Sequence, residues 1–121
     1  MGLTDMTMQL RDFFASAATA GPTAVALEGV FVIARGLAYL VPTFEAKDDL
    51  SQSIALDYEQ LKPLLMSKVP AYGGGLYLYC DQVVVEGIVS PSVGGMEARF
   101  ILRDIAAFSL TRRGHVFQVL P

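Results

Sequence analysis

Apolar residues recur at three- and four-residue spacing near the start of the chain: Leu10, Phe13, Phe14 and Ala17. That period predicts a helix over 4–20, with Asp5 able to cap it and Gly21-Pro22 ending it.

The pattern then becomes almost continuously apolar. VALEGVFVIARGLAYLV, Val25 to Val41, has only Glu28 and Arg35 as charges. Residues 24–41 number 18, the short end for a membrane span. Nine Val, Leu, Ile and Phe side chains would gain about 4 kcal/mol in all on an insertion scale. Arg35 near the middle would cost roughly 2.5–3.5 kcal/mol and Glu28 somewhat less, so the sum is close to zero. No positive cluster flanks the stretch, and a span is not expected. Glu28 and Arg35, seven apart, would share a helix face. Against a helix stand the β-branched Val25, Val30, Val32 and Ile33, together with Gly29 and Gly36. VALEGVFV (25–32) is also echoed by VVVEGIVS (83–90) among clear strand signals. These features predict core strands at 24–34 and 37–44, turning at Gly36. In each copy Gly suits a bulge or a close backbone approach, and Glu suits the wet face.

Farther on, 45–51 (EAKDDLS) reads as a charged loop and 53–56 as a short strand. DYEQ at 57–60 has a capping-box pattern, Asp57 at the cap and Gln60 three residues on. It predicts a helix near 57–69 with Leu61, Leu64, Leu65 and Val69 buried. Pro63 is expected to kink it or to follow a short 3₁₀ turn, and Pro70 to end it. From Leu76 the strand candidates are 76–79, 83–89, 96–102, 106–110 and 115–120, separated by Asp81-Gln82, Ser90 to Gly95, Arg103-Asp104 and Arg113-Gly114. Connections this short favour an antiparallel meander.

The expected fold is a single α+β domain over 1–121. It has an N-terminal helix, a curved antiparallel sheet or small barrel of six to eight strands, and one further helix near 57–69. The order strand-strand-strand-helix-strand-strand over 24–89 resembles an OB-type barrel. A curved sheet around a helix, as in cystatin-like folds, is similar to the same string.

Composition changes this picture in one respect. The chain is 53% apolar and 17% charged, against about 45–50% and about 25% in soluble domains. The surplus suggests an oligomer interface, a patch or a cavity. Net charge is -3, which opposes general nucleic-acid binding. Residues 1–62 carry eight acidic and four basic side chains, and 63–121 carry four and five. The N-terminus lacks the basic start and apolar run of a secretory signal, and Met6 stands where a myristoylation signal has Ser or Thr. With one cysteine, Cys80, no intramolecular disulfide forms, and a reducing cytoplasm is expected. One Cys and one His argue against a zinc site, and no cofactor is expected.

Candidate chemistry is sparse. Cys80 with His115, oriented by Asp81, Glu86 or Asp104, is the only thiol–imidazole pair available. Cys80 reads more simply as a small apolar strand residue and His115 as an exposed turn neighbour, so no catalytic residue is assigned. Asp48-Asp49 and Asp57/Glu59 read as solvated or capping carboxylates. AYGGGLYLY (71–79) lacks the Gly-Lys-Ser/Thr ending of a phosphate loop. Its Tyr72, Gly74, Tyr77 and Tyr79 fit a binding rim, or a connector with Tyr77 and Tyr79 on one sheet face. Arg99, Arg112 and Arg113, with Arg103, form a basic region suited to an anion or acidic partner, and His115 is a further binding candidate.

Two functional classes fit. The favoured one is a small non-catalytic interaction protein that self-associates or binds another protein through a sheet edge or apolar face. The alternative is a small-molecule-binding or enzymatic cup with an apolar cavity, using Tyr72, Tyr77, Arg99 or His115.

Overall fold

The computed structural model describes residues 7–16, 21–57, 59–73, 75–94 and 97–120. In chain order these form β1 (Met8–Gln9), α1 (Leu10–Ser16), β2 (Thr23–Ala34), β3 (Leu37–Val41), β4 (Ile54–Leu56), α2 (Leu61–Lys68), β5 (Tyr77–Pro91), β6 (Phe100–Arg112) and β7 (His115–Leu120). With two helices against seven strands, the content is mainly β. No helix among the described residues is long and apolar enough to cross a membrane.

The strand pairings close on themselves. The path runs β2-β3-β4-β6-β5, and β5 pairs again with β2 along nearly its whole length. Ring pairings are antiparallel except β4 with β6. β7 lies outside the ring on β6, and β1 lies parallel to β2. Two hairpins, β2–β3 and β6–β7, turn on the same dipeptide, Arg35-Gly36 and Arg113-Gly114. All four residues have positive φ, from 52° to 79°. That is the type I′ geometry whose twist matches paired strands.

Alternation along the strands divides the apolar residues between two clusters. Leu27, Phe31 and Ile33 of β2 point into the ring with Leu40, Ile54, Tyr79, Val83, Val85, Leu102, Phe108 and Leu110. Phe31 and Phe108 meet edge to face at 5.1 Å. Leu61, Leu65 and Val69, on and just beyond α2, join this core, as do Leu10 and Phe13 of α1. The intervening positions Val30, Val32 and Ala34 point outward, where they pack with Tyr39, Val41 and Ala46. Segment 42–53 covers that outer face through two 3₁₀ turns, Phe44–Ala46 and Leu50–Gln52. The second half of β2 is thus buried on both faces, which explains the unbroken apolar run at 30–34.

The echoed motifs are neighbours. VALEGV and VVVEGI lie antiparallel, with Leu27 opposite Val85 and Val25 opposite Gly87. A Cβ on Gly29 would lie 2.9 Å from the Val41 carbonyl oxygen, and one on Gly87 2.8 Å from that of Arg103. Each glycine admits an adjoining strand at the same place in its motif.

Several expectations are corrected. The segments 76–79 and 83–89 are one strand, β5, and Asp81-Gln82 is no turn. Likewise Arg103-Asp104 is not a turn but an irregularity within β6, with Asp104 at φ 51° opposite Gly87. That strand begins at Phe100 instead of 96. Asp57 does not cap α2. Its N–H donates to the Leu102 carbonyl at 2.9 Å, and its carboxylate accepts from Arg103 Nε at 3.1 Å. The helix starts four residues later behind Gln60, which makes no side-chain cap. Pro63 therefore falls in the first turn, where an amide proton has no helical partner to lose. In the N-terminal helix, Leu10 and Phe13 are buried as expected, while Asp5 and Ala17 lie outside the described residues.

Candidate functional site

Three places gather polar or cavity-forming residues. The first lies where the connector from α2 to β5 crosses one end of the ring. Asp81 occupies an inward position of β5, in alternation with Tyr79 and Val83, and only 3% of it is exposed. Arg112, near the end of β6, pairs with it through two parallel bonds: Nε donates to Oδ1 at 2.9 Å and Nη2 to Oδ2 at 2.8 Å. The remaining guanidinium nitrogen, Nη1, donates to the Pro70 carbonyl at 2.7 Å. Tyr72 donates its hydroxyl to Asp81 Oδ1 at 2.8 Å and lays its ring 4.0 Å from the Arg112 Cζ. Tyr79, deeply buried, donates to the Val69 carbonyl at 2.7 Å. Bonding to Asp81 raises the Arg112 pKa further. Burial, then the bond to Asp81, pushes the Tyr72 phenol up. All partners are internal, so the cluster is a clamp that ties 69–72 to the sheet.

The second cluster is built from the same residue types on the outside. Tyr77 donates to Asp48 Oδ1 at 2.5 Å, and Arg35 Nη2 lies 3.6 Å from the same oxygen. Lys47 stands 5.9 Å from the Tyr77 ring centroid, and the Tyr39 hydroxyl donates to the Lys47 carbonyl at 2.6 Å. These contacts pin segment 42–53 onto the outer apolar cluster. The bond to the Asp48 carboxylate, with smaller contributions from desolvation and the negative charge, pushes the Tyr77 phenol up to about 12.

The third place is a groove of about 260 Å³ on the outside of β3 and β4, lined by Leu37, Ala38, Tyr39, Leu50, Ser53, Ala55, Glu97 and Ala98. Ser53 is buried, with its hydroxyl donating to the Leu50 carbonyl at 2.7 Å. A smaller cavity of about 80 Å³ lies between the β2–β3 hairpin and the start of α2.

The structure separates most of the residues singled out in the sequence. Tyr72 and Arg112 come together on Asp81, with Tyr79 nearby on the Val69 carbonyl. Tyr77 does not share a face with Tyr79. A register shift beside Ile33 and Ala34 turns Tyr79 into the ring and Tyr77 to the outer cluster. Arg99 just precedes β6, at the opposite end from Arg112, and stacks on Phe14, with Cζ 4.6 Å from the ring centroid. Arg113 occupies the β6–β7 turn, and His115 packs on Phe117 at 4.5 Å. Gly74 lies outside the described residues. Cys80 joins the outer cluster, where burial, then the Asp81 charge, raises its thiol pKa. A nucleophile needs the opposite shift. Among the described residues, no group of three or more His, Cys, Asp or Glu could hold a metal ion.

Asp81 and the groove were the residues missed. Asp81 read as a turn because Asp-Gln broke an apolar run, yet strict alternation from Val83 to Val89 extends back through it and marks it as inward. The groove draws on small residues from separate segments, Ala38, Ala55 and Ala98, which carry no local pattern. No protein-family model, curated protein or solved structure matches this chain.

Proposed function

We propose that this chain is a small non-catalytic interaction module that receives an apolar anchor side chain of a protein partner in the groove across β3 and β4. The groove itself is the observation that carries this. At about 260 Å³ it falls just below the range of roughly 300–1,000 Å³ common for small-molecule sites. It is the right size for one large side chain, the unit that dominates protein–protein contacts. Six of its eight lining residues are Leu, Ala or Tyr.

The strand order supports the same face. A ring of β2-β3-β4-β6-β5 with a helix between its third and fourth strands has the arrangement of an OB-type barrel. Such barrels bind through their second and third strands and the flanking loops. Here those strands are β3 and β4, and Glu97 and Ala98 come from shortly before β6. The net charge of -3 disfavours the nucleic acids that many such barrels take. The apolar surplus favours a second copy as one such partner.

Two measurements test this. Titrating isotope-labelled protein with N-acetyl-leucinamide, a neutral side-chain mimic, is expected to give saturable chemical-shift changes confined to Leu37, Tyr39, Leu50, Ala55 and Ala98. Absence of saturable change at those residues overturns the groove assignment. Light scattering over a concentration series then reads the partner. Mass doubling that is lost in Ala55→Trp makes the partner a second copy, and a constant monomer mass overturns self-association.

A further inference from the structure

The groove has a chemical polarity as well as a shape. Among the described residues, its lining holds one charged side chain, the exposed Glu97. The basic side chains nearest the lining in sequence are engaged elsewhere. Arg35 is turned to Asp48, Lys47 stands over Tyr77, and Arg99 stacks on Phe14 and Phe100. Ser53 is fully buried and spends its proton on the Leu50 carbonyl, so it offers the groove no donor. The groove therefore sets one negative charge beside an apolar floor of Leu37, Leu50, Ala55 and Ala98.

We infer that the anchor this groove selects is cationic as well as apolar: a hydrophobic body ending in an ammonium or guanidinium group, with the charge set against Glu97. This rests on the groove being the binding face. A partner segment would meet it with an apolar side chain beside a Lys or Arg, or with a long basic side chain whose methylenes lie on the floor. Anionic anchors are disfavoured twice, by the Glu97 charge and by the lack of a free donor in Ser53.

Three probes with a similar phenyl body separate the possibilities: 2-phenylethylammonium, 2-phenylethanol and 3-phenylpropionate, each titrated into the labelled protein at low salt. The ammonium is expected to bind about two- to fivefold more tightly than the alcohol, the scale of an exposed ion pair, with the carboxylate weakest. Glu97→Gln is expected to abolish the preference for the ammonium over the alcohol, and high salt to shrink it. Equal binding of all three at the groove residues overturns the inference and leaves the groove standing as an apolar site. A cation preference that survives in Glu97→Gln overturns the assignment to Glu97. No saturable change at the groove with any probe overturns both the inference and the binding face it rests on.

Discussion

Two clusters in this molecule are made of one aspartate, one arginine and one tyrosine, and they differ chiefly in burial. Around Asp81 the pair with Arg112 is 2.8 Å long, its side chains 3% and 15% exposed. Around Asp48 the pair with Arg35 is 3.6 Å long, its side chains 56% and 47% exposed. In the first, both carboxylate oxygens are bonded and all three guanidinium nitrogens used have fixed acceptors. In the second, water competes for every group. The same three residue types thus make a fixed corner of the fold in one place and a surface fastening in the other.

The largest expected effect comes from breaking the buried pair on one side. Arg112→Met leaves Asp81 without its partner under the 69–72 connector and removes the donor to the Pro70 carbonyl. A loss of about 3–5 kcal/mol is expected, read as a lower urea midpoint at unchanged slope. Combining it with Asp81→Leu is expected to recover part of that loss, because no lone buried charge then remains. A double variant less stable than either single one would show that the pair contributes more than mutual compensation.

An uncharged defect in the same wall gives a scale for the first result. Gly87→Ala puts a methyl group 2.8 Å from the Arg103 carbonyl oxygen and against the Leu102 side chain. Overpacking of this kind is expected to cost about 1–3 kcal/mol. A larger loss than Arg112→Met gives would make backbone fit, not charge, the main constraint on this sheet. Tyr72→Phe removes one of the donors to Asp81 but leaves the ring over Arg112. At about 1 kcal/mol it should rank third in the same urea series.

How far the sequence foretold this comparison depends on the range of the interaction involved. Both hairpin turns were legible, since Arg35-Gly36 and Arg113-Gly114 punctuate apolar runs and need only local geometry. The strand character of 24–34 was legible from β-branching, glycine and the echo at 83–90, although Glu28 and Arg35 would also share a helix face. The single long strands were not. Asp81 and Asp104 read as turn residues because nothing local says that Arg112 lies across from one, or that Gly87 makes room for the irregularity at the other. The same holds for the candidate site. Tyr72, Tyr79 and Arg112 stood out by type, and only long-range pairing reveals that Tyr72 and Arg112 bond to Asp81 and Tyr79 to the Val69 carbonyl. The groove residues Leu50, Ala55 and Ala98 come from three segments brought together by strand order alone.

The smallest expected effect belongs to the exposed cluster, and it sharpens the comparison because its chemistry is visible even where its energy is small. Asp48→Asn is expected to change stability at neutral pH by no more than about 1 kcal/mol. The Tyr77 phenol should respond clearly, since its pKa of about 12 rests first on the bond to the Asp48 carboxylate. A neutral amide removes both that charged acceptor and the negative charge, so the pKa falls toward the ordinary 10.0. The sign for stability follows from the raised folded value. The contribution of this bond is complete below the unfolded pKa near 10 and is lost as pH rises through about 12. Ultraviolet titration of phenolate, compared between the parent chain and Asp48→Asn, should show one tyrosine moving to lower pH while the buried Tyr79 stays late. If no tyrosine moves, the Tyr77–Asp48 bond does not persist in solution, and segment 42–53 is held by its apolar contacts alone.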